Sequence, residues 1–169
     1  WKRLKKCKDY NDWIKVGDTV GEIVEMNWRA IRIKTRDHDI VIVPNSTLGK
    51  ERILNYTSPS TTHGVLLYVS FSYNDPPNKV KRVLLDILKK METVLVIPKP
   101  SIRSKSYQDS SIQYEVRFFI NDFPGLPEIE QDFMTRVWYA ARRNGLSIPF
   151  PIRTVYKTEV PLEKIETDE

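Results

Sequence analysis

The chain reads as an α+β protein built in two parts, a small β-barrel followed by a split βαββαβ unit. Two observations predict this: about 45 residues of short, tightly turned strands from Asp12 to Asn55, then a change after residue 59 to one long strand, a one-faced helix, a hairpin and a second helix. A length of 169 residues with 40% hydrophobic content suffices for one medium core or two small ones.

In the first part, Val16-Gly17-Asp18-Thr19 breaks a strand, and Thr19 to Asn27 resumes it with Val20, Ile23 and Val24. From Trp28 to Arg36 the residues alternate. Arg29, Ile31, Ile33 and Thr35 fall on one face, and Ala30, Arg32, Lys34 and Arg36 on the other, so one face is apolar and its reverse cationic. Asp37-His38-Asp39 is a polar triplet between strands, which reads as a turn rather than a metal cluster. Ile40 to Val43 is too apolar for a strand with one wet face, and Pro44 stops it. Asn45 or Ser46 is expected to cap a single helical turn through Leu48, ended by Gly49, and Arg52 to Tyr56 supplies a fifth strand. Five short strands in this length fit a highly bent barrel of the SH3 or Sm kind.

Pro59 to His63 is the linker candidate, with His63 expected to lack a partner. Gly64 to Ser72 then alternates with Val65, Leu67, Val69 and Phe71 inward. Asp75-Pro76-Pro77 reads as a cap with proline at the first helical position, and Val80, Val83, Leu84, Ile87, Leu88 and Met91 form one helical face. Ile102 to Tyr107 and Ile112 to Ile120 make a hairpin about Gln108 to Ser110. A second helix from Pro127 presents Ile129, Phe133, Val137 and Ala141 and stops at Asn144-Gly145, and Pro149 to Tyr156 is expected to return as a strand. That order is the ferredoxin-like one.

Charge is uneven. Residues 1–10 carry five Lys/Arg and one Asp, residues 159–169 one Lys and five acids, and residues 11–158 the remaining charge of about +5. This is mild for a nucleic-acid binder, and neither Val65 to Ser72 nor Ile112 to Ile120 has the glycine-flanked aromatic pattern of an RNA-binding sheet. Cys7 alone cannot form an internal disulfide, which is consistent with a reducing compartment. No nucleophile, acid-base pair or metal-ligand spacing is recognisable, so no catalytic, cofactor-binding or metal residue is assigned. The longest apolar runs, Val65 to Phe71 and Val94 to Ile97, fall far short of the ~20 residues that cross a bilayer as a helix.

The motifs carry a resemblance. Gly17-Asp18, Gly21, Thr35-Arg36, Val41 to Ser46 with Pro44 and Asn45, and Ile53, Asn55, Tyr56 and Thr57 resemble the β-domain pattern of the small-conductance mechanosensitive channel (MscS) family. Asp109 to Val116 and Asn144 to Ile152 are similar to motifs of the α/β domain that follows it there, and Met26 to Arg29 is similar to a branch that sometimes carries a cyclic-nucleotide-binding domain further on. The resemblance implies the divisions 11–59 and 60–158, flanked by a basic segment at 1–10, either juxtamembrane or added, and an acidic tail at 159–169. It further implies a non-enzymatic homo-heptamer, anchored in the cell (inner) membrane by transmembrane helices outside this chain. These residues would then lie on its cytoplasmic side as a vestibule passing ions and small osmolytes, without a cofactor. Arg32, Lys34 and Arg36 are the candidates to line the ring, where stacked cations within about 8 Å of one another bias passing ions. Gly17, Asp18, Gly21, Pro44, Asn45 and Asn55 are candidates for structural roles, and Met26, Trp28 and Trp138 for packing or subunit contact. The rival is a soluble nucleic-acid-binding module, since both predicted folds host RNA binders.

Overall fold

The computed structural model describes residues 11–150. Its first unit is a five-stranded antiparallel sheet of β1 (Trp13–Val16), β2 (Thr19–Met26), β3 (Ala30–Thr35), β4 (Ile40–Pro44) and β5 (Ile53–Asn55), with a single turn of helix, α1 (Asn45–Leu48), between the last two. The strand order is β4-β3-β2-β1-β5. No ladder joins β4 to β5 among the described residues, so the expected highly bent barrel is an open sheet, not closed by hydrogen bonds between its end strands.

Two glycines make the hairpins possible. Gly17 adopts φ +56°, which costs a side chain, in the two-residue link where Val16 pairs with Thr19. Gly21 lies flat against β3, and a Cβ there would come 2.3 Å from the Lys34 carbonyl oxygen. A register shift between Ile23 and Glu25 bulges β2, and beneath the sheet Ile14, Val16, Ile23, Ile31, Ile33, Val43 and Leu48 form one core.

β4 departs from the sequence reading. Instead of being covered on both sides, it buries Val43 and leaves Ile40 at 52% and Ile42 at 58% exposed. The sheet packs on a single core, so Val41 and Val43 face it while Ile40 and Ile42, alternating with them, fall on the face left open among the described residues. The α1 cap is also corrected: Pro44 precedes the helix and no side chain caps it. The Asn45 side-chain amide turns back instead and donates to the carbonyls of Asn27 (3.2 Å) and Trp28 (2.8 Å), holding the β2–β3 loop.

The second unit contains β6 (His63–Phe71), α2 (Pro77–Lys89), β7 (Ser101–Tyr107), β8 (Ile112–Ile120) and α3 (Leu126–Asn144). Its sheet runs β6-β8-β7, with β8 antiparallel to both neighbours, so the two strands that flank α2 in sequence are parallel and separated by one. Both helices lie on one face, over Val65, Phe71, Tyr114, Val116 and Phe118. A proline, Pro77, does open α2 as expected, and the cap at Asp75 is corrected. Asp75 caps nothing; its buried carboxylate accepts from the Ser147 backbone N–H at 2.8 Å, while Ser72 N–H donates to the Ser147 carbonyl at 3.1 Å. Together they pin the chain leaving α3 to the end of β6. Gly145 at φ +60° ends α3 as expected. Of the predicted return strand, Pro149 and Phe150 have no regular structure and the rest lies outside the described residues.

Candidate functional site

The two units meet at an aromatic seam that the sequence reading missed. Phe123, in the link between β8 and α3, is buried. Tyr56 stacks on it at 3.9 Å between ring centroids with planes 8° apart, and Trp13 and His63 meet it edge-on at 5.8 and 4.9 Å. Arg36 closes the seam from the first unit. Its Nη2 donates to the Phe123 carbonyl at 2.9 Å and its Nη1 to the Pro124 carbonyl, while the guanidinium lies 4.9 Å from the Trp13 ring centre. His63 is therefore a working part of the junction and not a partnerless linker residue. Burial lowers its pKa from the ordinary 6.5, opposed by the negative charge of Glu130.

A second network locks the entry to the seam. Asp12 is buried, and its carboxylate accepts from Asn55 Nδ2 at 2.8 Å and from Thr57 Oγ1 at 2.9 Å. Asn55 Oδ1 in turn accepts from the backbone N–H groups of Thr57 and Ser58, both at 2.9 Å. The Asn-Tyr-Thr motif thus bends the chain so that Tyr56 points at Phe123.

The three candidate cations do not form one row. β3 ends at Thr35, so the alternation that grouped them breaks before Arg36, which sits in the following turn. Arg32 pairs with Glu25 at 2.9 Å across the ladder, both side chains about half-exposed, a surface pair worth little. Lys34 borders a cleft of about 350 Å³ beside the seam, with Trp13, Glu22, Arg36, His38 and Glu128 around it. His38 itself is in a turn, at φ +68° with its N–H donating to the Thr35 carbonyl at 3.1 Å. Trp28 and Trp138 are largely exposed, while Met26 packs on the first core. Among the described residues no three His, Cys, Asp or Glu side chains gather into a metal site, and no helix is long and apolar enough to cross a membrane.

The architecture is an open sheet, its rims unpaired among the described residues, joined through the seam to a helix-backed sheet. The comparisons give it a family. Residues 5–58 match the β-domain of the mechanosensitive ion channel family, and residues 65–148 match the C-terminal region of the mechanosensitive ion channel MscS. The chain belongs to the MscS family of mechanosensitive channels. It is 25% identical over 163 residues to an MscS family protein of Aquifex aeolicus, covering 94% of this chain and 44% of that one. It is 27% identical over 149 residues to the small-conductance mechanosensitive channel MscMJ of Methanocaldococcus jannaschii, covering 85% and 42%. Its fold matches the closed-state crystal structure of Helicobacter pylori MscS with a TM-score of 0.80 at 16% identity, over 94% of this chain and 68% of that one. The chain thus spans less than half the length of these two sequence relatives.

Proposed function

We propose that this chain is the cytoplasmic, vestibule-forming part of a homo-heptameric channel in the cell (inner) membrane that opens under tension and releases ions and small osmolytes in hypoosmotic shock. In this reading residues 11–59 are an Sm-like unit and residues 60–158 a ferredoxin-like one. The observation that carries it is the rim of the first sheet. β4 offers an edge unpaired among the described residues, with Ile40 and Ile42 exposed beside it, apolar surface that a neighbouring copy would cover while satisfying the edge. In such a ring Arg32 and Lys34 face the path, and Arg36 holds the two units of each subunit at a fixed angle.

The test is electrical. The protein carrying this chain, complete with its membrane part, is reconstituted in liposomes and patches are stretched by suction. Tension-evoked current is expected, and Arg32→Glu with Lys34→Glu is expected to move the reversal potential toward cation preference. A protein that is inserted and assembled yet silent at lytic tension overturns the proposal.

A further inference from the structure

The end of α2 and the loop that follows it line an open pocket of about 410 Å³ that the channel reading does not use. Its walls are the aliphatic side chains of Leu85, Leu88, Val94, Leu95, Val96 and Pro100. Leu88 and Val94 are buried and form its floor. The volume lies within the range of small-molecule sites. At the mouth stand Lys89 and Lys99, neither in an ion pair among the described residues.

The lip is unusual. Val96 is 79% exposed and the adjoining Ile97 80%, two β-branched side chains held out on a loop that carries prolines at 98 and 100. The Leu95 N–H donates to the Phe119 carbonyl at 2.8 Å, anchoring the start of that loop to β8. Apolar surface presented this way marks a contact site.

We infer that this pocket binds a free single-chain anionic amphiphile, its hydrocarbon tail against Leu88 and Val94 and its carboxylate between Lys89 and Lys99. Charge complementarity and lining chemistry select that occupant. The walls contain no carboxylate to attract a cation and no aromatic ring to stack a base. A peptide would bring backbone N–H groups against a lining that offers no side-chain acceptor, whereas a hydrocarbon chain asks only for aliphatic contact.

Sodium dodecanoate, kept below its micellar range, is titrated into the 169-residue chain while amide NMR shifts are followed. Saturable shifts confined to residues 85–100 and the adjoining β8 are expected. Val96→Asp alters an exposed position, so the fold is retained, and is expected to weaken binding about tenfold. The Lys89→Glu, Lys99→Glu double variant is expected to weaken dodecanoate by a similar factor and to leave uncharged decanol unaffected. Equal binding of dodecylamine, shifts centred elsewhere, or binding to anionic phospholipid vesicles without binding of free dodecanoate overturns the inference. So does an acidic amphipathic peptide that saturates the pocket where dodecanoate does not. A shift pattern that follows protein concentration instead of dodecanoate assigns the lip to a second copy and overturns it too.

Discussion

Arg36 and Phe123 belong to different units of the chain and are joined by two contacts at once: the guanidinium donates to the Phe123 carbonyl at 2.9 Å and lies 5.5 Å from the Phe123 ring centre, while also reaching the neighbouring Pro124 carbonyl. A planar fork serves two carbonyls while its flat face lies along a ring, and a shorter-reaching ammonium has neither the fork nor the flat face. Arg36→Lys is therefore expected to loosen the seam almost as much as Arg36→Ala. Arg36 is solvent-exposed, so the loss of overall stability should be modest, about 1 kcal/mol. The sharper readout is hydrogen exchange, with faster exchange at Tyr56, His63 and the 121–125 link and unchanged protection in the β2–β3 ladder. Unchanged exchange at the seam would show that the aromatic stack holds it alone.

Gly21→Ala tests the close approach of β2 to β3. The added methyl would sit 2.3 Å from the Lys34 carbonyl oxygen and 2.7 Å from the Ile33 side chain. Backbone on both sides must move, and a loss of about 1 to 3 kcal/mol is expected by urea unfolding, as for overpacked cores. Gly17→Ala strains a different feature, since nothing lies near its Cβ position and only the positive φ is at stake, so the cost should be near 1 kcal/mol. Equal losses at the two positions would contradict the distinction.

How far these features can be read from the residues differs between them. Gly17 and Gly21 are visible as motif positions, and the stripe from Ile112 to Ile120 announces its strand, because local backbone limits and period-two burial act within a few residues. The seam is not visible that way. Trp13, Arg36, Tyr56, His63 and Phe123 come from four separate stretches, and no periodicity relates them. Only Phe123, an aromatic residue placed between a strand and a proline-bearing helix start, hints at a contact outside its own unit. β4 failed for a related reason: Ile40 to Val43 has the composition of a strand covered on both faces, and whether a second layer covers a sheet's outer face is set by tertiary packing. Asn45 and Asp75 failed because a capping residue type fixes a capacity for hydrogen bonding and leaves the partner open. In both cases a tertiary partner outbid the local helix end.

His63 makes the chain sensitive to acid. Its folded pKa lies below the unfolded 6.5, because burial against Phe123 and Tyr56 disfavours the imidazolium more than Glu130 favours it. The unfolded chain therefore takes up this proton first as pH falls. The stability linked to neutral His63 is complete above pH 6.5 and is lost as pH drops through the folded pKa. Urea midpoints measured from pH 8 to pH 5 should decline, and His63→Phe, which keeps an aromatic ring in the stack, should flatten that decline. A His63→Phe profile parallel to the parent's would place the acid sensitivity elsewhere.

Tyr114 gives the opposite limb. It is fully buried, its hydroxyl has no hydrogen-bond partner among the described residues, and burial raises its pKa above the ordinary 10, with Asp75 and Tyr107 adding to the rise. A raised folded pKa means the unfolded state gives up its proton first, so the stability associated with neutral Tyr114 is present below pH 10 and lost as pH climbs through the folded value. Tyr114→Phe removes that titration together with an unpaired buried oxygen while retaining the ring that meets Phe71 at 6.0 Å. Replacing an unsatisfied polar group by apolar surface of the same shape is neutral or favourable, and a gain of up to about 1 kcal/mol at pH 7 is expected, with a wider margin at pH 10.5. A net loss at pH 7 would mean that the hydroxyl is hydrogen-bonded in solution, and the buried oxygen would then be a structural asset of the second unit.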